Sequence, residues 1–434
     1  MEWYVVLIGM LTLLSVLIAI GLPIPFAMAA SCLPFLWSIQ SWNTSLVSTQ
    51  LKLWGVWVDY VLLAVPLFVF LGELVSRSAI GARMYQVMHH GVPMRGAAAY
   101  GSVGACAGFG AVCGSSLIGA LTIGSVAVPE MLRLGYSPRL VSGVVAAGGT
   151  LSVLIPPSLI LIFYAIVTDA SVGQLFIAGV IPGLILTFLY LVVVKVWSIV
   201  RPQDVPAESQ RQRLSLGEIV VALGPVALIA TIIIVSIYFG IATTTESAAV
   251  ANVVTIVLAF TVGGMSPREF LDALVATLRT MGFIGILLAA AALFGFVLTY
   301  YRVPQELGAA FAMLNLPPYA VLLSIIVFYL IVGMFLEPAS ITFITVPTIF
   351  PLVAAAGYDL IWFGIIYTIT MEIAVLTPPV GLNLYVLQRL DRTGRLRLID
   401  AVLGSIPFIG VMLLLIGLLI ALPGLALWLP GAMK

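Results

Sequence analysis

The chain is 434 residues long, 62% hydrophobic and 8% charged, with a formal net charge of +1. A soluble domain carries about 25% charged residues, so the composition excludes an ordinary soluble enzyme and leaves a polytopic protein embedded in a lipid bilayer. The near-neutral balance gives no reason to expect a nucleic-acid partner. Cys32, Cys106 and Cys113 form no CxxC pair and the only histidines are the adjacent His89 and His90, which argues against a disulfide framework or a His/Cys zinc site.

A crossing helix needs ~20 apolar residues. On that ruler the crossings are predicted at 3–22, 24–39, 57–76, 139–168, 172–198, 219–239, 243–264, 274–300, 360–388 and 402–429. The first, from Trp3 to Leu22, has no basic residue before it and runs straight into the second, so it reads as a span and not as a cleaved signal. The stretch 79–94 mixes apolar and polar residues and is expected to lie along the membrane surface. The run 98–130 is interrupted at its middle by Gly114-Ser115-Ser116. A polar break at membrane depth is tolerated only against protein or a polar cavity, so this run is expected to be a re-entrant hairpin. The crossing 139–168 is broken by Pro156-Pro157, which removes two consecutive amide donors and frees the carbonyls before them. Residues 201–218, with Pro202, Pro206 and charges of both signs, read as a solvated cytoplasmic linker.

What precedes the linker returns after it. Pro129, Gly135, Tyr136, Leu154, Pro156 and Pro157 recur 222 residues later as Pro351, Gly357, Tyr358, Leu376, Pro378 and Pro379. Glu337-Pro338-Ala339-Ser340 breaks a second hairpin, 320–351, and 303–314 is its surface helix. The expected fold is therefore an all-α polytopic membrane protein of two repeats, 1–200 and 219–429, each with five crossings and one re-entrant hairpin. An odd number of crossings makes the repeats inverted in the membrane. With the N-terminus outside, Arg77, Arg83, Arg95, Arg133, Arg139, Lys195, Arg201, Arg211, Arg213, Arg268, Arg279, Arg389, Arg392, Arg395 and Arg397 lie inside and only Lys52, Arg302 and Lys434 lie outside, as the positive-inside rule requires.

Paired broken helices are the signature of a secondary transporter's midplane site. Hydroxyls and freed carbonyls supply the hard oxygens that sodium needs. One cage is expected at the first hairpin from Gly114, Ser115, Ser116, Gly148, Thr150 and Pro156. A second is expected from Glu337, Ser340, Thr377, Pro379 and Gly381. Ser116, Thr150, Ser152, Pro157, Ser158, Ser340, Thr342 and Asn383 are the candidate substrate contacts, and each half-helix after a break points its positive end at the site. The competing reading of the first tip is close helix packing, since Gly104/Gly108 and Gly110/Gly114 both fit GxxxG. Glu337 and Glu372 fall within apolar runs, where a carboxylate marks an ion or proton pathway or pins a hairpin through its amides. No GxSxG nucleophile elbow is present and neither histidine lies near Ser115, so hydrolase chemistry is not expected. One sodium ion entering down ~100 mV gains about 2.3 kcal/mol and a tenfold gradient adds about 1.4 kcal/mol. A dianion entering against the potential consumes more than one ion supplies, so at least two sodium sites are expected.

Gly114-Ser115-Ser116, Pro129 with Gly135-Tyr136, Leu154-Ile155-Pro156-Pro157-Ser158, Ala178-Gly179 with Pro182-Gly183, and Thr377-Pro378-Pro379-Val380-Gly381-Leu382-Asn383 together resemble the large membrane subunit of TRAP transporters over nearly the whole chain. The resemblance departs from the common pattern at Cys113, Ile118 and Gly119. It implies sodium-driven uptake of an organic acid, such as a C4-dicarboxylate or sialic acid, by an elevator motion of a transport domain against a scaffold. It also implies a separate small membrane subunit of four spans, a periplasmic substrate-binding protein and residence in a bacterial inner membrane. The rival is a sodium–dicarboxylate symporter of the related hairpin superfamily that works without a binding protein.

Overall fold

A computed structural model of the chain describes residues 2–39, 42–206, 214–313, 316–391 and 394–433. Arg211, Arg213, Arg392 and Lys434, and with them the middle of the expected linker, lie outside the described residues. The first half contains α1 (Trp3–Ala19), α2 (Ile24–Ile39), α3 (Trp42–Trp57), α4 (Ala64–Arg77), α5 (Ile80–Gly91), α6 (Ala97–Cys113), α7 (Ser116–Arg133), α8 (Pro138–Leu154), α9 (Leu159–Thr168) and α10 (Val172–Val200). The second contains α11 (Leu216–Tyr238), α12 (Thr244–Thr261), α13 (Pro267–Tyr300), α14 (Val303–Met313), α15 (Pro318–Gly333), α16 (Pro338–Ala355), α17 (Leu360–Val375), α18 (Leu382–Leu390), α19 (Leu398–Ala421) and α20 (Gly424–Gly431). No strand occurs among the described residues.

Local chemistry sets these boundaries. Capping boxes open α11 (Ser215 with Glu218), α12 (Thr243 with Glu246) and α13 (Ser266 with Glu269), so orphan amides at each start are satisfied by the chain itself. Asp59 caps the 3₁₀ turn Tyr60–Leu63 that leads into α4, accepting from the Val61 amide at 2.8 Å. Helix starts recur at the spacing the sequence showed: Ser116 and Pro338, and Pro138 and Leu360, are each 222 apart.

Among the described residues eight helices are long and apolar enough to cross a bilayer, or nine if α8 and α9, bent by 42°, count as one span. That differs from the ten predicted crossings in instructive ways. α1 and α2 have 17 and 16 residues, roughly 25 Å at ~1.5 Å per residue, short of a ~30 Å hydrocarbon core. The second arms of both expected hairpins, α7 and α16, pass on length and composition. α3 was not predicted at all. Its counterpart is the front half of α13, which runs unbroken for 34 residues where the first half has α3, the 3₁₀ turn and α4. The predicted crossing 402–429 is split, because Leu422 leaves the helical region and Pro423 offers no amide to continue it.

Two packing groups meet in this arrangement. In one, α2, α3 and α4 pack on α13, and α4 and α11 pack on α12. In the other, α8 is the hub, packed on α6, α7, α10 and α19. The helices after the two breaks are exchanged: α9 lies against α16 and α18 lies against α7, so each half of the chain closes over the other half's hairpin. Phe163 on α9 and Phe343 on α16 hold rings 5.2 Å apart at the first of these contacts. α8 and α19 run backbone to backbone. A Cβ on Gly143 would overlap the Gly404 carbonyl, and one on Gly404 would overlap the Arg139 carbonyl. Arg139 and Arg397 pin the mouth of this contact on Asp400, at 3.3 and 3.2 Å.

Candidate functional site

α6 ends and α7 begins at the first polar turn. Gly114 takes the left-handed conformation, with φ of 68°, which costs glycine nothing, and Ser115 is extended with its side chain free of any capping bond. The turn is docked on the first break: the Leu159 amide donates to the Gly114 carbonyl at 3.2 Å, and a Cβ at Gly114 would come within 2.9 Å of the Pro157 carbonyl oxygen. Pro156-Pro157 is cis, both prolines are buried, and the Ser158 hydroxyl accepts from the Leu161 amide at 3.3 Å to start α9.

The second site repeats the arrangement with different occupants. The Val380 amide donates to the Met334 carbonyl at 3.2 Å, joining the second turn to the second break, and Pro378-Pro379 is also cis. Gly381 is left-handed, with φ of 53°. Here, however, Pro378 and Pro379 are exposed, so the second break faces outward on one side where the first is enclosed.

The expected ligands divide by what their side chains already do. Gly114, Ser115, Ser116, Pro156, Pro157 and Ser158 are brought together at the first tip. Ser152 joins them, because a Cβ on Gly119, in the first turn of α7, would overlap its hydroxyl oxygen. That hydroxyl has no hydrogen-bond partner. Gly148 instead faces Cys106, and the Thr150 hydroxyl is committed to the Ala147 carbonyl at 2.6 Å and to the Tyr190 hydroxyl at 3.0 Å. At the second tip Glu337 caps α16, accepting from the Ala339 and Ser340 amides at 3.1 and 2.8 Å and from the Ser340 hydroxyl at 2.6 Å. One of its neighbours in the expected cage, Ser340, is thus held by the carboxylate itself. The Thr342 hydroxyl meets Tyr367 at 2.7 Å, and Thr377 donates to the Ile373 carbonyl at 2.7 Å. Asn383 is not at the second tip. It reaches the other half of the chain, donating to the Ala146 carbonyl on α8 at 3.5 Å, and its side-chain oxygen is buried with no partner.

Sequence reasoning missed Tyr190 and Tyr367, which hold the two threonines. Their only signal was a hydroxyl inside an apolar run, which does not distinguish a buried tyrosine from one anchoring a helix at the membrane interface. A cleft of about 580 Å³ lies among α13, α9 and α16, bordered by Ala291, Gly295, Phe296, Thr299, Phe343 and Pro347. The arrangement can hold a hard cation against carbonyls and hydroxyls at either tip.

Residues 11–425 match the model of a family described as "Tripartite ATP-independent periplasmic transporter, DctM component". The chain is 37% identical over 347 residues to the C4-dicarboxylate TRAP transporter large permease protein DctM of Pseudomonas aeruginosa, covering 79% of this chain and 80% of that one. It is 30% identical to the sialic acid TRAP transporter large permease protein SiaM of Vibrio cholerae, covering 85% and 86%. Among solved structures, the Alcanivorax borkumensis YdaH transporter has the same fold at a TM-score of 0.66, covering 93% of this chain and 97% of that one at 12% identity.

Proposed function

The chain belongs to the DctM-component family, the large permease subunits of TRAP transporters, and from that membership we propose that it imports an organic acid, a C4-dicarboxylate, a sialic acid or a similar carboxylate, driven by sodium. The observation that carries the reading is the pair of tip-to-break hydrogen bonds, Leu159 to Gly114 and Val380 to Met334. Two polar turns, each closed on a proline-broken helix, bring backbone oxygens and hydroxyls together at membrane depth, where such groups need a partner. At least two sodium ions bind there, one per tip.

The substrate sits between the tips with its carboxylate toward the positive ends of α9 and α18. The two repeats, 1–200 and 219–429, are inverted, with the N-terminus outside and the linker inside. The group around α8 with its hairpins moves as an elevator against the α2, α4, α12 and α13 group, sliding along the mostly apolar cleft beside α13. A separate four-helix small subunit covers the scaffold, and a periplasmic binding protein delivers the substrate to a chain seated in the inner membrane of a bacterium.

Reconstitution tests this. Proteoliposomes holding this chain, its small subunit and its binding protein should accumulate labelled substrate only under an inward sodium gradient. Concentrative uptake by this chain alone would refute the tripartite reading.

A further inference from the structure

Glu372 on α17 is 1% exposed, and neither carboxylate oxygen accepts a hydrogen bond. Every other acid buried to this degree among the described residues is paired: Asp400, 5% exposed, lies between two arginines. The Ser116 hydroxyl, at the first residue of α7 and part of the first tip, stands beside the side chain without making a hydrogen bond of ordinary geometry. One turn along α7, the unpartnered Ser152 hydroxyl packs on Gly119. An orphan carboxylate and an orphan hydroxyl from two different helices therefore converge on the first turn of α7.

Among the described residues no cation resolves this. α7 carries Arg133 at its far end, bound to Glu130, and α8 carries Arg139, bound to Asp400. α10 carries Lys195 near its C-terminal end, and α18, whose Leu387 and Leu390 lie against Gly124 in the middle of α7, carries Arg389 in its last turn. The positive end of α7 faces the carboxylate, but it offsets only a fraction of the cost of removing an ion from water, and none of its amides bonds to Glu372.

We propose that Glu372 is the charged ligand of a monovalent cation at the first tip, with the Ser116 and Ser152 hydroxyls as further oxygens beside it. The cage is then shared between the halves: the first half supplies the hairpin turn and α8, and the second half supplies the countercharge. This rests on the sodium-driven reading above and sharpens it, because it makes the first site anionic, as Glu337 makes the second.

The test is thermal unfolding of the purified full chain over a sodium chloride titration at constant ionic strength, in wild type, Glu372→Gln and Glu372→Asp. The glutamine keeps the size of the side chain and removes the charge. Without sodium, Glu372→Gln should match or exceed the wild-type midpoint, because the unpaired charge is gone. With sodium the order should reverse, with half-saturation at least tenfold weaker in Glu372→Gln and an intermediate shift in Glu372→Asp. An unchanged sodium response in Glu372→Gln overturns the inference while leaving the sodium-driven reading standing, and so does a midpoint lowered equally at every sodium concentration. A wild-type chain with no sodium response overturns both.

Discussion

Gly114→Ala separates the backbone demand of the first tip from its packing demand. At φ of 68° an alanine incurs the left-handed penalty, roughly 1–2 kcal/mol. Its Cβ would also stand 2.9 Å from the Pro157 carbonyl oxygen, a contact with backbone that cannot rotate away, adding about 1–3 kcal/mol of overpacking. Gly135, between α7 and α8, is the control. Its φ is 91°, but nothing lies within 4 Å of its Cβ position, so Gly135→Ala incurs the backbone penalty alone. The two variants should both lower the thermal midpoint, with Gly114→Ala worse by the packing term. Only Gly114→Ala should also weaken sodium-driven uptake, roughly tenfold for each ~1.4 kcal/mol by which the tip is held off the break. Equal midpoints in the two variants, with uptake intact in Gly114→Ala, would refute the claim that the tip is closed on Pro157.

The contact of α8 with α19 gives a second comparison: Gly143→Ala or Gly404→Ala should abolish stable expression, whereas Gly410→Ala and Gly417→Ala, with nothing near their Cβ positions, should express normally. At Asp400 the two arginines share one buried carboxylate, so Arg139→Ala or Arg397→Ala alone should cost less than half of what the double variant costs, measured as midpoint shifts in detergent. For the cation cages, uptake in wild type should rise with sodium at a Hill coefficient above one, and Ser115→Ala should weaken sodium affinity more than Thr377→Ala, whose hydroxyl is already bonded to Ile373. For topology, Pro206→Cys should react with an impermeant reagent only from the cytoplasm and Ala356→Cys only from the periplasm; labelling of both from the same side would end the inverted-repeat reading.

Class, punctuation and family were legible in the residues alone. Charge content settled the solvent, because so few ionic groups cannot cover a soluble surface of this size. Polar turns and doubled prolines settled where helices stop, because those are local properties of the backbone: α7, α16 and α17 begin within a residue or two of the expected places. Length ruled less well. Hydropathy registers how apolar a run is, so α3, with its Asn43, Thr44, Ser45, Ser48, Thr49, Gln50 and Lys52, does not register as a helix of the membrane, and the last crossing extends through Pro423. Partners were decided only by tertiary structure. Glu337 and Glu372 look alike in sequence, each a lone acid in an apolar run, yet Glu337 is bound by two amides and a hydroxyl while Glu372 has only the Ser116 hydroxyl beside it and no hydrogen bond of ordinary geometry. Asn383, adjacent in sequence to the second break, belongs in space to α8, because the helix that carries it crosses to the opposite hairpin. A hydrogen bond depends on which helices the fold brings side by side, and local pattern carries no record of that.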